Sequence, residues 1–151
     1  MLVRVDHLLL GFDVRDVREV LDETSLVDVP LTPPMVLGLI NLRGEVVTVI
    51  DARGLFGASR RTASDRTTLV VVQYQRELLS LSVDEVLEVA TVQPRQFFQR
   101  PDGMKDIVRR LASAVVQREH DLVVVVDVAG LFEHLAAHED GPGEDSNCAP
   151  S

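Results

Sequence analysis

The chain reads as an all-β protein assembled from two copies of one plan, and three features of the sequence say so. Its apolar share is 46% while aromatic residues make up only 4%, and Val and Leu dominate that share. Val, branched at Cβ, suits the pleated surface of a strand. Short apolar runs recur at regular spacing without long amphipathic stretches between them, which argues for barrels or sandwiches over a doubly wound parallel sheet. The chain also repeats itself. Val46-Val47-Thr48-Val49-Ile50-Asp51-Ala52-Arg53-Gly54-Leu55-Phe56 is answered 76 positions later by Leu122-Val123-Val124-Val125-Val126-Asp127-Val128-Ala129-Gly130-Leu131-Phe132. Val14-Arg15-Asp16-Val17-Arg18-Glu19-Val20 is answered 69 positions later by Val83-Asp84-Glu85-Val86-Leu87-Glu88-Val89.

In the first half the pattern predicts strands over Leu2 to Arg4, His7 to Asp13, Val17 to Leu21, Val36 to Leu42 and Glu45 to Ile50. In the second it predicts them over Thr68 to Tyr74, Glu77 to Val83, Val86 to Val92, Ala112 to Gln117 and Asp121 to Val126. Each half ends in a short helical segment. Asp51 and Asp127 stand where a strand gives way to that segment, the position from which a carboxylate caps the free N–H groups of a helical turn. Pro30, Pro33 and Pro34 break the chain before the first long hairpin and hold it extended. A further short helix is expected over Met104 to Leu111, after an Asp102-Gly103 turn.

These elements divide the chain into a domain over residues 1–135, made of halves at about 1–57 and 68–135. The repeat leaves open an exchange of strands between them. Residues 58–67 are small, polar and locally basic, the composition of an exposed linker. Residues 136–151 read as an acidic, flexible tail. A chain of 151 residues buries roughly 68–70% of its unfolded surface on folding, enough for a sizeable core.

The net charge of −9 comes from 15 basic and 24 acidic residues, and that field repels phosphate backbones and anionic membrane surfaces alike. With no Trp and one Tyr, the stacking platforms of a nucleic-acid or oligosaccharide barrel are missing too. Cys148 is the only cysteine, so no internal disulfide forms and a reducing, cytoplasmic home is expected. The longest apolar run, Leu122 to Val126, is far too short to span a bilayer.

Between Pro30 and Gly57 the sequence resembles the CheW-like family of chemotaxis coupling proteins. The residues that carry the likeness are Val36-Leu37-Gly38-Leu39-Ile40-Asn41-Leu42-Arg43-Gly44-Glu45-Val46-Val47-Thr48-Val49-Ile50-Asp51, with Asn-Leu-Arg-Gly leading into a strand and an Asp. The likeness extends upstream through Asp16 to Leu21 and downstream through Leu81 to Val89. It implies two five-stranded β-barrel subdomains packed together, with short helical segments and no catalytic residues, metal or cofactor. It implies an adaptor that couples methyl-accepting chemoreceptors, through their helical hairpin tips, to the regulatory domain of a histidine autokinase in two-component signalling. Such an adaptor is cytoplasmic and clusters at the inner membrane through the receptors without inserting into it. The same role in surface motility or gene regulation is the alternative, and a small ligand-binding barrel a remoter one. The family's receptor-contacting surface maps onto Glu19 and Arg43, with Val17 and Gly44 as their neighbours. The chain departs from the family at two turns, where Asp6-His7 and Arg118-Glu119-His120-Asp121 replace glycines.

Read from the residues alone, Arg43 occupies a hairpin turn beside a glycine and projects its guanidinium into solvent. Strand alternation that sends Val17, Val20 and Leu21 to the core leaves the Glu19 carboxylate outward. Leu42, Phe97 and Phe98, beside a turn or in a loop, are candidate apolar partner contacts. Asp13, Asp16 and Asp84 flank strands and read as solvated carboxylates rather than acid/base groups. His134 and His138 share a helical face, but no further ligands of matching spacing accompany them. No nucleophile motif or phosphate loop is present.

Overall fold

The structure, a computed structural model, describes residues 1–22, 35–57 and 68–139. The first half runs through β1 (Leu2–Val5), β2 (Leu8–Gly11), a 3-10 turn at Val14–Asp16, β3 (Val17–Asp22), β4 (Val36–Leu42), β5 (Glu45–Asp51) and α1 (Ala52–Leu55). The second runs through β6 (Thr68–Tyr74), β7 (Glu77–Val83), β8 (Glu85–Glu88), a 3-10 turn at Pro94–Gln96, β9 (Phe97–Phe98), α2 (Asp106–Leu111), β10 (Ala112–Arg118), β11 (Asp121–Val126) and α3 (Val128–Glu139).

Two sheets result, ordered β3-β6-β7-β5-β4 and β8-β1-β2-β11-β10-β9. Each takes strands from both halves of the chain. The hairpin β1–β2 lies between β8 and β11, and its counterpart β6–β7 lies between β3 and β5. Parallel pairs join the halves in both sheets, β5 on β7 and β11 on β2.

The repeat extends to irregularities of the ladder. The β3–β6 register skips Arg18, and the β8–β1 register skips Leu87, the residue 69 positions on. The β4–β5 register skips Leu37, and the β10–β11 register skips Ser113, 76 positions on. An extra residue at one place bends and twists the strand, so both sheets curl at the same points. The turns repeat as well: Asp6 and Gln75 have φ of 54° and 57°, and Arg43 and Glu119 both have φ of 51°. Hairpins of this length need positive φ to match the strand twist, so the turns without glycine keep the geometry and carry the strain.

Among the described residues, three apolar clusters hold the molecule. The largest, with Val3, Val5, Leu10, Phe56, Val70, Leu81, Leu111 and Leu131 all buried, is the seam between the sheets. The other two lie on the inner faces of the curled sheets, Ile40, Val47, Val49 and Leu69 in one, Leu2, Val116 and Val123 in the other. At about 1.5–3 kcal/mol for each large apolar side chain taken out of water, the seam is the main stabilising element.

The expected carboxylate caps form. The Asp51 Oδ1 accepts from the Arg53 N–H at 3.2 Å, and the Asp127 Oδ1 accepts from the Gly130 N–H at 3.1 Å. A Cβ on Gly130 would stand 2.7 Å from the Asp127 Oδ2, so the cap and the glycine require each other.

Several boundaries differ from the sequence reading. The second strand is Leu8–Gly11 rather than His7 to Asp13, because His7 belongs to the turn. The strand expected to reach Val92 stops at Glu88, and the helix expected from Met104 begins at Asp106. Phe97 and Phe98 are not in a loop. They form β9, paired with Val116 and Val115, and supply a sixth strand to one sheet. The expected linker, 58–67, lies outside the described residues. The helix α3 continues to Glu139, so the first residues of the expected tail are helical, while 140–151 also lie outside the described residues.

Candidate functional site

The five-stranded sheet has β3 at one edge and β4 at the other. No backbone pairing closes these edges among the described residues; side chains bridge them. Leu21 of β3 and Leu37 and Leu42 of β4 pack on the same inner cluster of Ile40, Val47, Val49 and Leu69. Above that cluster, the Nη1 of Arg43 reaches the Oε1 of Glu19 at 2.7 Å. The two polar residues singled out by resemblance therefore meet, and they meet across the mouth of a curled sheet.

The turn that presents Arg43 is built by its neighbours. The Asn41 side chain accepts from the Gly44 N–H at 2.9 Å, an Asx-type bond that holds the chain reversal. Arg43 and Gly44 both have positive φ, 51° and 89°, the pattern of a type I′ hairpin in which Gly44 carries no steric penalty. Arg43 itself pays a modest conformational cost to face outward. Its side chain is 73% exposed, whereas that of Glu19 is 18% exposed.

That asymmetry corrects the expectation for Glu19. The carboxylate does not point outward: Val17, Glu19 and Leu21 are half-buried, and Val20 is the exposed residue at 39%. The physical reason is the strand's own alternation, which runs from Val17 through Glu19 to Leu21 on the less exposed side and leaves Arg18 and Val20 exposed. Val17 packs against the seam, while Leu21 enters the sheet's inner cluster. Glu19 is left at the mouth, where Arg43 neutralises it.

Among the tentative apolar contacts, Leu42 is half-buried and packs on the inner cluster, so much of its surface is occupied. Phe97 and Phe98 remain open, at 45% and 50% exposure on an edge strand. Sequence reasoning missed Val46, Val20, Val89 and Leu122, exposed at 69%, 39%, 64% and 57%. Val46 corresponds to Leu122 and Val20 to Val89 in the repeat, so both halves expose apolar residues at matching positions, Val89 just past the end of β8. For Val46 the signal was present: Val47 is buried, and alternation sends its neighbour outward.

The second sheet has its own Arg–Glu pair. Glu88, the counterpart of Glu19, accepts from the Arg118 Nη2 at 3.4 Å. This contact is longer than that of Glu19 with Arg43, and the basic residue comes from the end of β10 rather than the turn.

The strand-flanking aspartates have structural partners or surroundings. The Asp84 side chain is buried and receives Arg53, the Asp6 backbone and Arg4. Hydrogen bonding from the Arg15 side chain and backbone holds the exposed Asp13 carboxyl down at about 2. Asp16 is pushed up, first by burial and then by the carboxylates of Asp13 and Asp127. A raised carboxyl pKa means that the ionised form is disfavoured in the folded state, so the penalty applies at neutral pH and disappears as pH falls below the unfolded value. Asp16→Asn is therefore expected to raise stability slightly at pH 7, within about 0.5 kcal/mol. The gain fades at pH 3, where Asp16 is already neutral; thermal melts at the two pH values check both signs.

Among the described residues, no group of three or more His, Cys, Asp or Glu is placed to hold a metal ion. Nor is any described helix long and apolar enough to cross a membrane.

Comparison with known proteins agrees with this architecture. The family model described as a CheW-like domain matches residues 1–136. The chemotaxis protein CheW of Rhizobium meliloti (strain 1021) is 30% identical over 120 residues, covering 80% of this chain and 77% of that protein. The chemotaxis protein CheW of Bacillus subtilis (strain 168) is 26% identical over 116 residues, covering 77% and 74%. The crystal structure of the scaffolding protein TtCheW from Thermoanaerobacter tengcongensis superposes with a TM-score of 0.75 at 26% identity, covering 83% of this chain and 86% of that one. With its sheets, seam and family match in agreement from Met1 to α3, the chain belongs to the CheW-like family and is a non-catalytic scaffold protein of chemotaxis.

Proposed function

We propose that this chain couples methyl-accepting chemoreceptors to a histidine autokinase in two-component signalling, working in the cytoplasm and gathered at the inner membrane by the receptors it holds. The observation that carries the reading is the Glu19–Arg43 pair, with Arg43 73% exposed at the rim of a curled sheet. A guanidinium held outward by a rigid turn can offer its remaining donors to a carboxylate on a receptor's helical hairpin tip. Val17 and Gly44 flank the pair. An exposed ion pair contributes only about 0.2–1 kcal/mol, so apolar contacts supply most of the affinity. Leu42, Phe97 and Phe98 are proposed as partner contacts, assigned to neither receptor nor kinase, and the open faces of Phe97 and Phe98 on the edge of the other sheet suit that role.

Signal passes only if the scaffold binds the kinase's active and inactive states with different affinity. The test is calorimetric titration of the chain with the regulatory domain of a chemotaxis histidine kinase from the same genome, followed by a receptor tip. Saturable micromolar binding of both, about −8 kcal/mol each, is the expected result. Absence of binding to both, with all proteins folded, overturns the reading.

A further inference from the structure

The two halves of the molecule end differently, and the difference leaves a groove uncovered among the described residues. In the second half the segment Asp127-Val128-Ala129-Gly130-Leu131-Phe132 continues as α3 to Glu139. In the first half the matching segment stops as the four-residue α1. Gly57, at φ +75°, ends it, as left-handed glycines end helices; Glu133 stands at the matching place in α3 and lets that helix run on.

The helix α3 sets Phe132 and, beyond the stop, Leu135 and Ala136 along a groove shared with Thr48 and Glu77. The repeat sets Val124, Leu8 and Phe56 in the matching places on the other sheet, and these line a groove of about 610 Å³. Its far wall is α2 and the residues before it, through Met104 and Val108, and its floor reaches the exposed Leu122. Val and Leu replace Thr and Glu, so this groove is the more apolar of the two, yet it has the shorter helix. Residues 58–67, next along the sequence, contain no apolar side chain larger than Ala.

We infer that this groove is a second docking site, and that its occupant is an amphipathic helix supplied by another protein. The helix lies as α3 lies on its own sheet, with apolar side chains three and four residues apart facing Leu8, Val124 and Leu122. The rim adds a charge requirement. The Lys105 ammonium stands 3.4 Å from the Gly57 carbonyl, at the place where α3 carries Glu133, so the incoming helix presents a carboxylate there. The site is separate from the Arg43 turn, and the inference does not depend on how receptors are read.

The test uses the full chain, isotopically labelled, and a synthetic peptide of residues 127–139 as the probe, because this sequence already seats on the equivalent surface. Saturable amide shifts at Leu8, Val108, Leu122 and Val124 are the expected result. Leu122→Glu, at an exposed position, is expected to weaken binding at least tenfold, Lys105→Glu severalfold, and Arg43→Glu to leave it unchanged. Shifts gathered instead at Thr48, Leu78 and Phe132, meaning that the peptide has replaced α3 in its own seat, would overturn the inference. So would equal affinity of the Leu122→Glu chain, or no shift at millimolar peptide.

Discussion

Asp84→Asn is expected to destabilise the protein by about 3 kcal/mol, the lower end of what breaking a buried ion pair costs. Asp84 stands between β7, in one sheet, and β8, in the other, so it is where the chain crosses between them. Its Oδ1 accepts from the Arg53 Nε at 2.9 Å, and its Oδ2 from the Arg53 Nη2 and the Asp6 N–H, both at 2.8 Å. Arg53 belongs to α1 on the five-stranded sheet, and Asp6 to the β1–β2 turn of the other, so one carboxylate ties both sheets together. The side chains of Asp84 and Arg53 are only 6% and 17% exposed. Asn keeps one acceptor oxygen but removes the charge that Asp84 sets against the Arg53 guanidinium in a poorly solvated place. In urea titration the midpoint should fall without a change in slope. Arg53→Ala should then add little to Asp84→Asn, with a coupling above about 1 kcal/mol between the two sites. A loss below 1 kcal/mol for Asp84→Asn would show that the crossing is held by the apolar seam alone.

How far the sequence reveals this architecture depends on what a repeat encodes. Apolar alternation and the matching segments at 76 and 69 positions locate ten of the strands, because those patterns are the strand faces themselves. The exchange of hairpins between sheets is not visible in that way: β1–β2 and β6–β7 present like faces, and either assignment buries them. Only the pairings between the halves specify it, parallel at Val124 with Leu10 and Ile50 with Leu81, and antiparallel at Val3 with Val86 and Val20 with Val70. The strand at Phe97–Phe98 is two residues long, below the length at which alternation can be seen. The site was legible in a different measure. Arg43 was placed correctly from its turn, but its own positive φ was hidden behind Gly44. Glu19 was assigned to the wrong face because the adjacent Val20 and Leu21 were both given to the core, whereas burial alternates by twos from Val17 through Glu19 to Leu21; the bulge at Arg18 was not legible either. A bulge leaves no mark in one copy of a sequence. Here it recurs at Leu87, but knowing that requires the ladder.

The double variant Glu19→Arg/Arg43→Glu is expected to keep the fold and lose receptor coupling. The single variant Arg43→Glu sets two carboxylates against each other at the sheet's mouth, and should lower stability by about 1 kcal/mol, since like charges repel where opposite ones attracted. It should also reduce receptor-dependent kinase stimulation at least tenfold, a change of about 1.4 kcal/mol in binding. Taken alone, that result is ambiguous, because a sheet whose edges have come apart could fail to present any receptor surface. The swap separates the two causes. It restores an Arg–carboxylate bridge between β3 and the β4–β5 turn and returns the melting midpoint toward that of the parent chain. The outward position, 73% exposed in the parent, now carries a negative charge. If a receptor carboxylate reads the guanidinium at that position, stimulation stays lost although the sheet is closed. If stimulation returns with the swap, the pair serves only to hold β3 to β4, and the receptor must be recognised by the apolar residues around it, with Val20 and Val46 the first to be replaced.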